Sequence, residues 1–272
     1  MSAGRTVKTR QNGRVQLVIL FAGTTLINAA NACVHPDAAM EIGRIRDVGD
    51  RHELVLEDGR ILLPAGLAVV QPKGPGPRWA TAARDTLRSS LPGMTVLAAA
   101  ESLQMDRWGR LVGHFSVSSP EGPSDPAEQL LALGLARYAP DGVKQHCRIK
   151  YLGAERRARA ASLGLWSDPY YAILAVEQSD ALKARSGDFV LVEGQVRRLG
   201  QTSARFYLDF GPVRGVDFAL TISRQNSKAF DRMGMPVRSL VGRRLRVRGV
   251  LDTRFGPQID VSLPDAIERI ER

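Results

Sequence analysis

What the chain lacks narrows its chemistry first. It has two cysteines, Cys33 and Cys147, and four histidines, His35, His52, His114 and His146. The histidines are scattered and keep no metal-ligand spacing, and no serine or cysteine stands in a nucleophile arrangement. From Ile61 to Arg84 there is no Asp or Glu. That stretch can therefore supply neither a carboxylate base nor an anionic ligand for a hard cation. The apolar run Val15 to Ile27 is too short and too interrupted by polar residues for a comfortable membrane span. What remains is ordinary for a folded protein: 44% of residues are apolar and 24% charged, which excludes disorder as the bulk state. The 272 residues suffice for two modest domains once an N-terminal segment is set aside.

That segment has the form of a leader. Arg5, Lys8, Arg10 and Arg14 precede the apolar run with no acid among them, and Asn28-Ala29-Ala30-Asn31-Ala32 follow it. Ala30-x-Ala32 places a signal-peptidase site before Cys33, so residues 1–32 read as a signal peptide and the protein as periplasmic or secreted. A retained interfacial anchor is the bland alternative. The mature chain then has no transmembrane domain. Cys33 at a new N-terminus has two possible fates. It can pair with Cys147 in an oxidising compartment, or it can be lipidated, although Ala30 stands where lipoproteins carry a large aliphatic residue.

The net charge of +10 is unevenly spread. The leader holds +4, residues 33–186 only +1 and residues 187–272 +5, which puts the basic character in the C-terminal third. A basic domain suggests contact with a polyanion; simple solubility is the competing reading.

Along the chain, short strand patterns cover Glu41 to Val48, His52 to Leu56 and Arg60 to Leu63, with a hairpin-type turn at Glu57–Arg60. A helix is predicted over Arg78 to Ser90, strands over Met94 to Ala99 and Leu111 to Val117, and helices over Ala127 to Leu135 and Lys144 to Leu163. The last stops at Gly164. Residues 169–186 read as a connector with a short helix. Beyond Gly187 the period becomes two, with strands at Phe189–Val196, Ala204–Phe210, Asp217–Ile222, Arg244–Leu251 and Gln258–Leu263. A helix is interposed at Ser223–Met233. That pattern suits a small barrel of the oligonucleotide/oligosaccharide-binding (OB) kind over residues 187–272.

Three segments, in order, carry a family resemblance. They are Asp106-Arg107-Trp108-Gly109-Arg110, then Leu130-Leu131-Ala132-Leu133-Gly134-Leu135-Ala136, then Ala154-Glu155-Arg156-Arg157-Ala158-Arg159 with Gly164-Leu165-Trp166. Residues 41–168 thereby resemble the staphylococcal (thermostable) nuclease family. The resemblance implies a mainly β fold with α, namely a five-stranded OB-type barrel with three helices, here followed by a second small OB-like barrel. It also implies calcium-assisted phosphodiester hydrolysis: carboxylates hold the ion, a glutamate activates water, and two arginines stabilise the phosphorane.

This chain departs from the family where that chemistry sits. The family's R-L-x-G-[IV]-D-[AT]-P-E motif is matched by Leu63 to Gln71. Leu63 replaces the arginine, Ala68 the metal-binding aspartate and Gln71 the catalytic glutamate. A neutral amide cannot serve as the base. The D-G-D-T motif is reduced to Val48-Gly49-Asp50-Arg51, which leaves Asp50 as a weak metal candidate. Arg110 alone matches cleanly, and either contacts phosphate or braces its own turn against Asp106. Trp108 and Trp166 read as core or rim packing. No cofactor is predicted; calcium enters only if the chain is a working phosphodiesterase with rearranged residues.

The C-terminal third offers a positive feature. Arg244, Arg246 and Arg248 alternate with Leu245 and Val247. On a strand the three arginines would share one solvent face, about 7 Å apart, near the phosphate spacing of an extended single strand. An edge strand guarded by charge is the bland reading. Tyr207 has the opposite parity to Phe206, Leu208 and Phe210 and is expected to be free to stack. Together these readings give an exported nuclease homologue without catalysis that binds single-stranded nucleic acid, another polyanion or an envelope protein. If the leader is read correctly, intact-mass analysis of protein from a bacterial host will show a chain starting at Cys33. A soluble chain starting at Met1 refutes it, and a lipid adduct on Cys33 identifies the anchored form.

Overall fold

The computed structural model of the chain describes residues 33–34, 39–73, 75–100, 103–118, 122–140 and 145–270; the leader over 1–32 and His35 lie outside them. The first half contains β1 (Ala39–Val48), β2 (Leu54–Leu56), β3 (Ile61–Pro64), β4 (Leu67–Val69), α1 (Pro77–Ser90), β5 (Thr95–Ala99), β6 (Gln104–Met105), β7 (Leu111–Gly113), β8 (Ser116–Ser118), α2 (Pro126–Ala132), β9 (Ala136–Tyr138) and α3 (Gln145–Ala160). The second contains β10 (Leu174–Ala175), α4 (Ser179–Ala184), β11 (Phe189–Gln195), β12 (Arg198–Gln201), β13 (Arg205–Asp209), β14 (Ala219–Ser223), α5 (Arg224–Arg232), β15 (Arg244–Asp252), β16 (Gln258–Asp260) and β17 (Ile267–Arg269). The class is the expected one, mainly β with α. Among the described residues no helix is long and apolar enough to cross a membrane.

The first sheet runs β6-β7-β3-β2-β1-β5-β8. Strand β1 organises it. Its first half pairs with β5 and its second with β2, and the register shifts between Glu41 and Gly43 and again between Ile45 and Asp47. Such irregularities bend a strand, so β1 serves two partners and turns Ile42, Ile45 and Val48 onto one core. Ala83 and Leu87 of α1, Leu130 and Leu131 of α2, and Tyr151 of α3 close that core. Helix α2 begins where Asp125 accepts hydrogen bonds from the amides of Ala127 and Glu128. It ends at Ala132, three residues before the pattern suggested, because Gly134 turns left-handed at φ +67°. Gly164, at φ +53°, stands back to back with it, and the amide of Leu165 donates to the Gly134 carbonyl at 2.8 Å. A Cβ on Gly134 would lie 2.3 Å from the Leu163 carbonyl oxygen. Both glycines of the motifs quoted above are thus required by one close backbone approach.

The second sheet runs β10-β11-β15-β16-β14-β13-β12, with β17 also on β15. All five strands expected from the sequence are present; β10, β12 and β17 are too short to leave a pattern. The two mixed sheets are consistent with the expected OB-type barrel followed by a second β domain; among the described residues the end strands of neither sheet path pair with each other. The segment expected as a connector does more than connect: Leu174, Val176 and Leu182 lie in the second core with Val192, Leu208, Leu220, Leu245 and Val247.

Both readings of β15, the bland one and the expected one, are corrected. It is not an edge strand, because β11 pairs along one side from Val250 to Arg244 while β16 and β17 take the other. Nor do its three arginines face solvent together. Leu245 and Val247 point into the second core, which sends Arg246 and Arg248 the other way, onto the first half of the chain. Arg248 is 1% exposed. Its Nη1 donates to Glu155 Oε2 at 2.9 Å and to the Tyr138 carbonyl at 3.0 Å, and its Nη2 to Glu155 Oε1 at 3.0 Å and to Glu268. Glu155, equally buried, also accepts from the Tyr138 amide at 2.6 Å. Arg246 is held between Glu193 at 2.6 Å and Glu268 at 3.4 Å. Only Arg244 is exposed, with Glu193 3.9 Å away. The two cores are further tied by Arg137, which donates to the Phe189 carbonyl at 2.7 Å, and by Arg148, 3.1 Å from Asp265.

Cys33 and Cys147, the candidate disulfide pair, are both reduced in this structure, with the two thiols within hydrogen-bonding reach of each other. A hydrogen bond to Cys147 and burial both push the Cys33 thiol far up, so the thiolate needed for exchange is disfavoured.

Replacing Arg248 with methionine leaves two buried carboxylates without their cation and should lower unfolding free energy by about 3–5 kcal/mol, read by chemical denaturation. Burial works to raise Glu268, but the guanidiniums of Arg248 and Arg246 outweigh it and hold Glu268 below its usual range. Its stabilisation is therefore full above the unfolded carboxylate value of about 4.3 and is lost as pH falls through the lower folded value. The acid limb of the stability profile should be shallower in R248M than in the wild type.

Candidate functional site

Parallel pairing of β3 with β7 sets Leu62 opposite Leu111 and Leu63 opposite Val112. The end of β3 therefore lies beside the Asp106–Arg110 turn that feeds β7. Strand β4 then carries Ala68 past the same place, held by β9, and Gln71 follows it. Four positions singled out in the sequence thus converge: Leu63, Ala68, Gln71 and Arg110 line one cavity of about 370 Å³. Arg51 and His52 complete the wall, and Phe189 of the second sheet closes it.

The chemistry of this cavity is that of a braced wall. Arg110 is half-way to the core, with 19% of its side chain exposed. Its Nε donates to Asp106 Oδ2 at 2.8 Å and its amide to Asp106 Oδ1 at 3.0 Å. Nη1 lies 3.7 Å from Glu53 Oε1, and the guanidinium sits 4.9 Å from the Trp108 ring centroid. Of the two readings of Arg110, the geometry favours the brace. Some desolvation works against it, but the amides of Arg110 and Trp108 and the Arg110 guanidinium hold Asp106 below the usual carboxylate range. Trp108 itself is 64% exposed, between Arg107 and Arg110, and is not core packing. Trp166 is half-buried under Arg159.

Asp50 is not part of the cavity lining. It is exposed and pairs with Arg84 at 3.1 Å. Glu53, which sequence reasoning missed, is the carboxylate nearest Arg110 after Asp106, but its Oε2 already accepts from the Arg51 amide at 2.9 Å. Calcium takes six to eight oxygens. Here the lining side chains at the decisive positions are Leu63, Ala68 and Gln71, and the neighbouring carboxylates are engaged by arginine and amide. The donor set does not fit the ion, and among the described residues no three His, Cys, Asp or Glu side chains come together to hold a metal.

His52 has an unusual place in this wall. It adopts φ +68°, is 2% exposed, and places Nε2 3.1 Å from the Ala80 carbonyl oxygen, while Nδ1 is buried without a partner. Burial holds its pKa below the ordinary value. Phe189 was also missed, because nothing local marks a residue that reaches the cavity from another sheet. The arginines expected on a second site are split: Arg244 is exposed at one end of β15, and Arg246 and Arg248 are neutralised inside. Tyr207 is partly exposed as its parity implied, with the Arg214 guanidinium 4.8 Å from its ring centroid.

Residues 65–168 match the family model of staphylococcal nuclease homologues. The match covers less than half of the chain and includes Ala68, Gln71, Arg110 and the Gly134–Gly164 contact. No curated protein matches the chain significantly.

His52 makes a pH prediction with a definite sign. A neutral buried imidazole binds fewer protons folded than unfolded, so its contribution is intact above about pH 6.5 and declines as pH falls below that. His52→Asn tolerates the left-handed backbone and does not titrate. Denaturation midpoints between pH 7 and 5, measured for both proteins, should fall more steeply for the wild type.

Proposed function

Starting from a staphylococcal-nuclease-like domain at residues 65–168, we propose that this protein is an exported nuclease homologue that no longer hydrolyses phosphodiesters and instead binds a polyanion, such as single-stranded nucleic acid. One observation carries the first half of the reading. At the cavity where the family resemblance puts catalysis, the three decisive side chains are Leu63, Ala68 and Gln71, and the remaining arginine is clamped by Asp106 and supported by Glu53. None of Leu63, Ala68 and Gln71 can take a proton from water, and Arg110 would have to abandon its turn to reach a phosphate.

The binding half rests on a different set of arginines from the one expected. Arg269 of β17 lies opposite Leu245 and donates to Ser239 Oγ at 3.2 Å, which brings Arg238 beside it; Arg243 just precedes β15 and Arg244 begins it at the same end. All four are exposed. Among the described residues only Arg244 has a carboxylate within 4 Å. Four exposed guanidiniums at one end of a sheet can meet consecutive phosphates without burying charge.

Purified residues 33–272 should leave labelled single- and double-stranded DNA and RNA intact with calcium and with chelator alike. Turnover that chelator abolishes, and that Arg110→Ala also abolishes, would establish a working phosphodiesterase instead. For binding, changing Arg238, Arg243, Arg244 and Arg269 together to glutamine should weaken single-strand affinity and reduce the salt slope by about three. An unchanged slope in the folded variant would refute the polyanion reading.

A further inference from the structure

A second cavity, of about 560 Å³, lies wholly within the second sheet and well away from the nuclease-like cavity. Its floor is the outer face of β13, β14 and β16, carrying Tyr207, Asp209, Thr221 and Asp260. Its walls are the turns at 211–217 and 252–257, which touch each other: a Cβ on Gly256 would meet the Gly215 carbonyl oxygen at 2.4 Å. The size falls within the roughly 300–1,000 Å³ of small-molecule sites.

Three observations say what could fill it. First, its charges cancel locally. Arg205 pairs with Asp260 at 2.8 Å, Arg254 with Asp252 at 2.8 Å and Arg214 with Asp209 at 3.6 Å, and Asp217 adds a fourth carboxylate. With Arg198 also on Asp209, each arginine here already has a carboxylate, and none is left free for a phosphate chain. Second, Asp209 is 3% exposed and its Oδ2 takes both nitrogens of Arg198, yet its Oδ1 is buried with no hydrogen-bond partner. A buried acceptor in this state calls for a donor. Third, Phe255 is 80% exposed on the wall, with Val213 and Val216 half exposed on the adjoining turn. Nothing in the fold requires an aromatic ring in solvent there.

We infer that this cavity is a binding site for a short neutral oligosaccharide. Alternating guanidinium and carboxylate groups suit neighbouring hydroxyls, each of which can accept from one and donate to the other. The C–H face of a pyranose suits the open ring of Phe255 at the rim. Tyr207, covered on one side by Arg214, offers its edge and hydroxyl from the floor. This site is separate from the four-arginine end of the sheet, and the two are tested apart.

The test is calorimetric titration of residues 33–272 with chitotetraose, cellotetraose and maltotetraose, with an oligothymidylate as the charged control. At least one saccharide should saturate, and added salt should leave its affinity unchanged. Phe255→Ala removes a side chain already in solvent, so the fold should persist, as thermal unfolding will show. It should weaken the saccharide by about tenfold or more, and Tyr207→Ala should weaken it as well. The glutamine variant at Arg238, Arg243, Arg244 and Arg269 should bind the saccharide normally. The inference is overturned if no saccharide saturates, if affinity is unchanged in folded Phe255→Ala, or if the oligothymidylate binding is what Phe255→Ala abolishes.

Discussion

The Arg248–Glu155 pair is the constraint around which this molecule is arranged. A guanidinium and a carboxylate with almost no exposure face each other in two parallel hydrogen bonds, and Glu268 and the Tyr138 carbonyl take what is left of the cation. Such a pair contributes little net stability relative to a well-packed apolar replacement, but breaking it strands a charge. Its geometric effect is larger than its energetic one. Glu155 projects from α3 and also caps the Tyr138 amide, so one carboxylate fixes β9, α3 and β15 together. Sliding β15 by one residue would put Val247 or Gly249 against Glu155, which is not a tolerable alternative.

That arrangement explains why the nuclease-like half was readable and the second half only partly so. The turn at Asp106–Arg110 and the glycine stops at 134 and 164 are local devices, and each left its own mark in the sequence. The convergence of Leu63, Ala68, Gln71 and Arg110 could be anticipated because the resemblance supplied the long-range pairing that spacing alone does not. Alternation in β15 correctly separated Leu245 and Val247 from the arginines. It could not reveal that the polar face would be covered, because period two reports two faces and not which of them meets water. The partners that neutralise Arg246 and Arg248 lie at Glu155, Glu193 and Glu268, on three other elements. Likewise Phe189 at the first cavity and Phe255 at the second carry no motif.

The two cavities differ in the same physical terms. In the first, an arginine that could act on a ligand is braced by carboxylates, and the motif positions beside it, Leu63, Ala68 and Gln71, are apolar or neutral. In the second, arginines and carboxylates are also paired, but along an open wall beside an exposed ring, with one buried acceptor left over. Charge pairing holds Arg110 to its own turn in the one and leaves paired groups lining an open wall in the other. Net charge, concentrated in the C-terminal third, predicts neither; it is realised at a third place, the end of the sheet where Arg238, Arg243, Arg244 and Arg269 meet.

The sequence separation of 93 residues between Glu155 and Arg248 has a temporal consequence. A chain that folds from its N-terminus completes β9 and α3 while the strand bearing its cation does not yet exist. During that interval Glu155 is a carboxylate in a half-built site, open to water. The first core then condenses around Ala154 and Tyr151 without its final counter-ion, and the arrival of β15 replaces solvent at Glu155 in one step. On such a route docking of the two halves comes late, and a nascent or truncated chain ending before β15 lacks the cover that Arg248 gives Glu155.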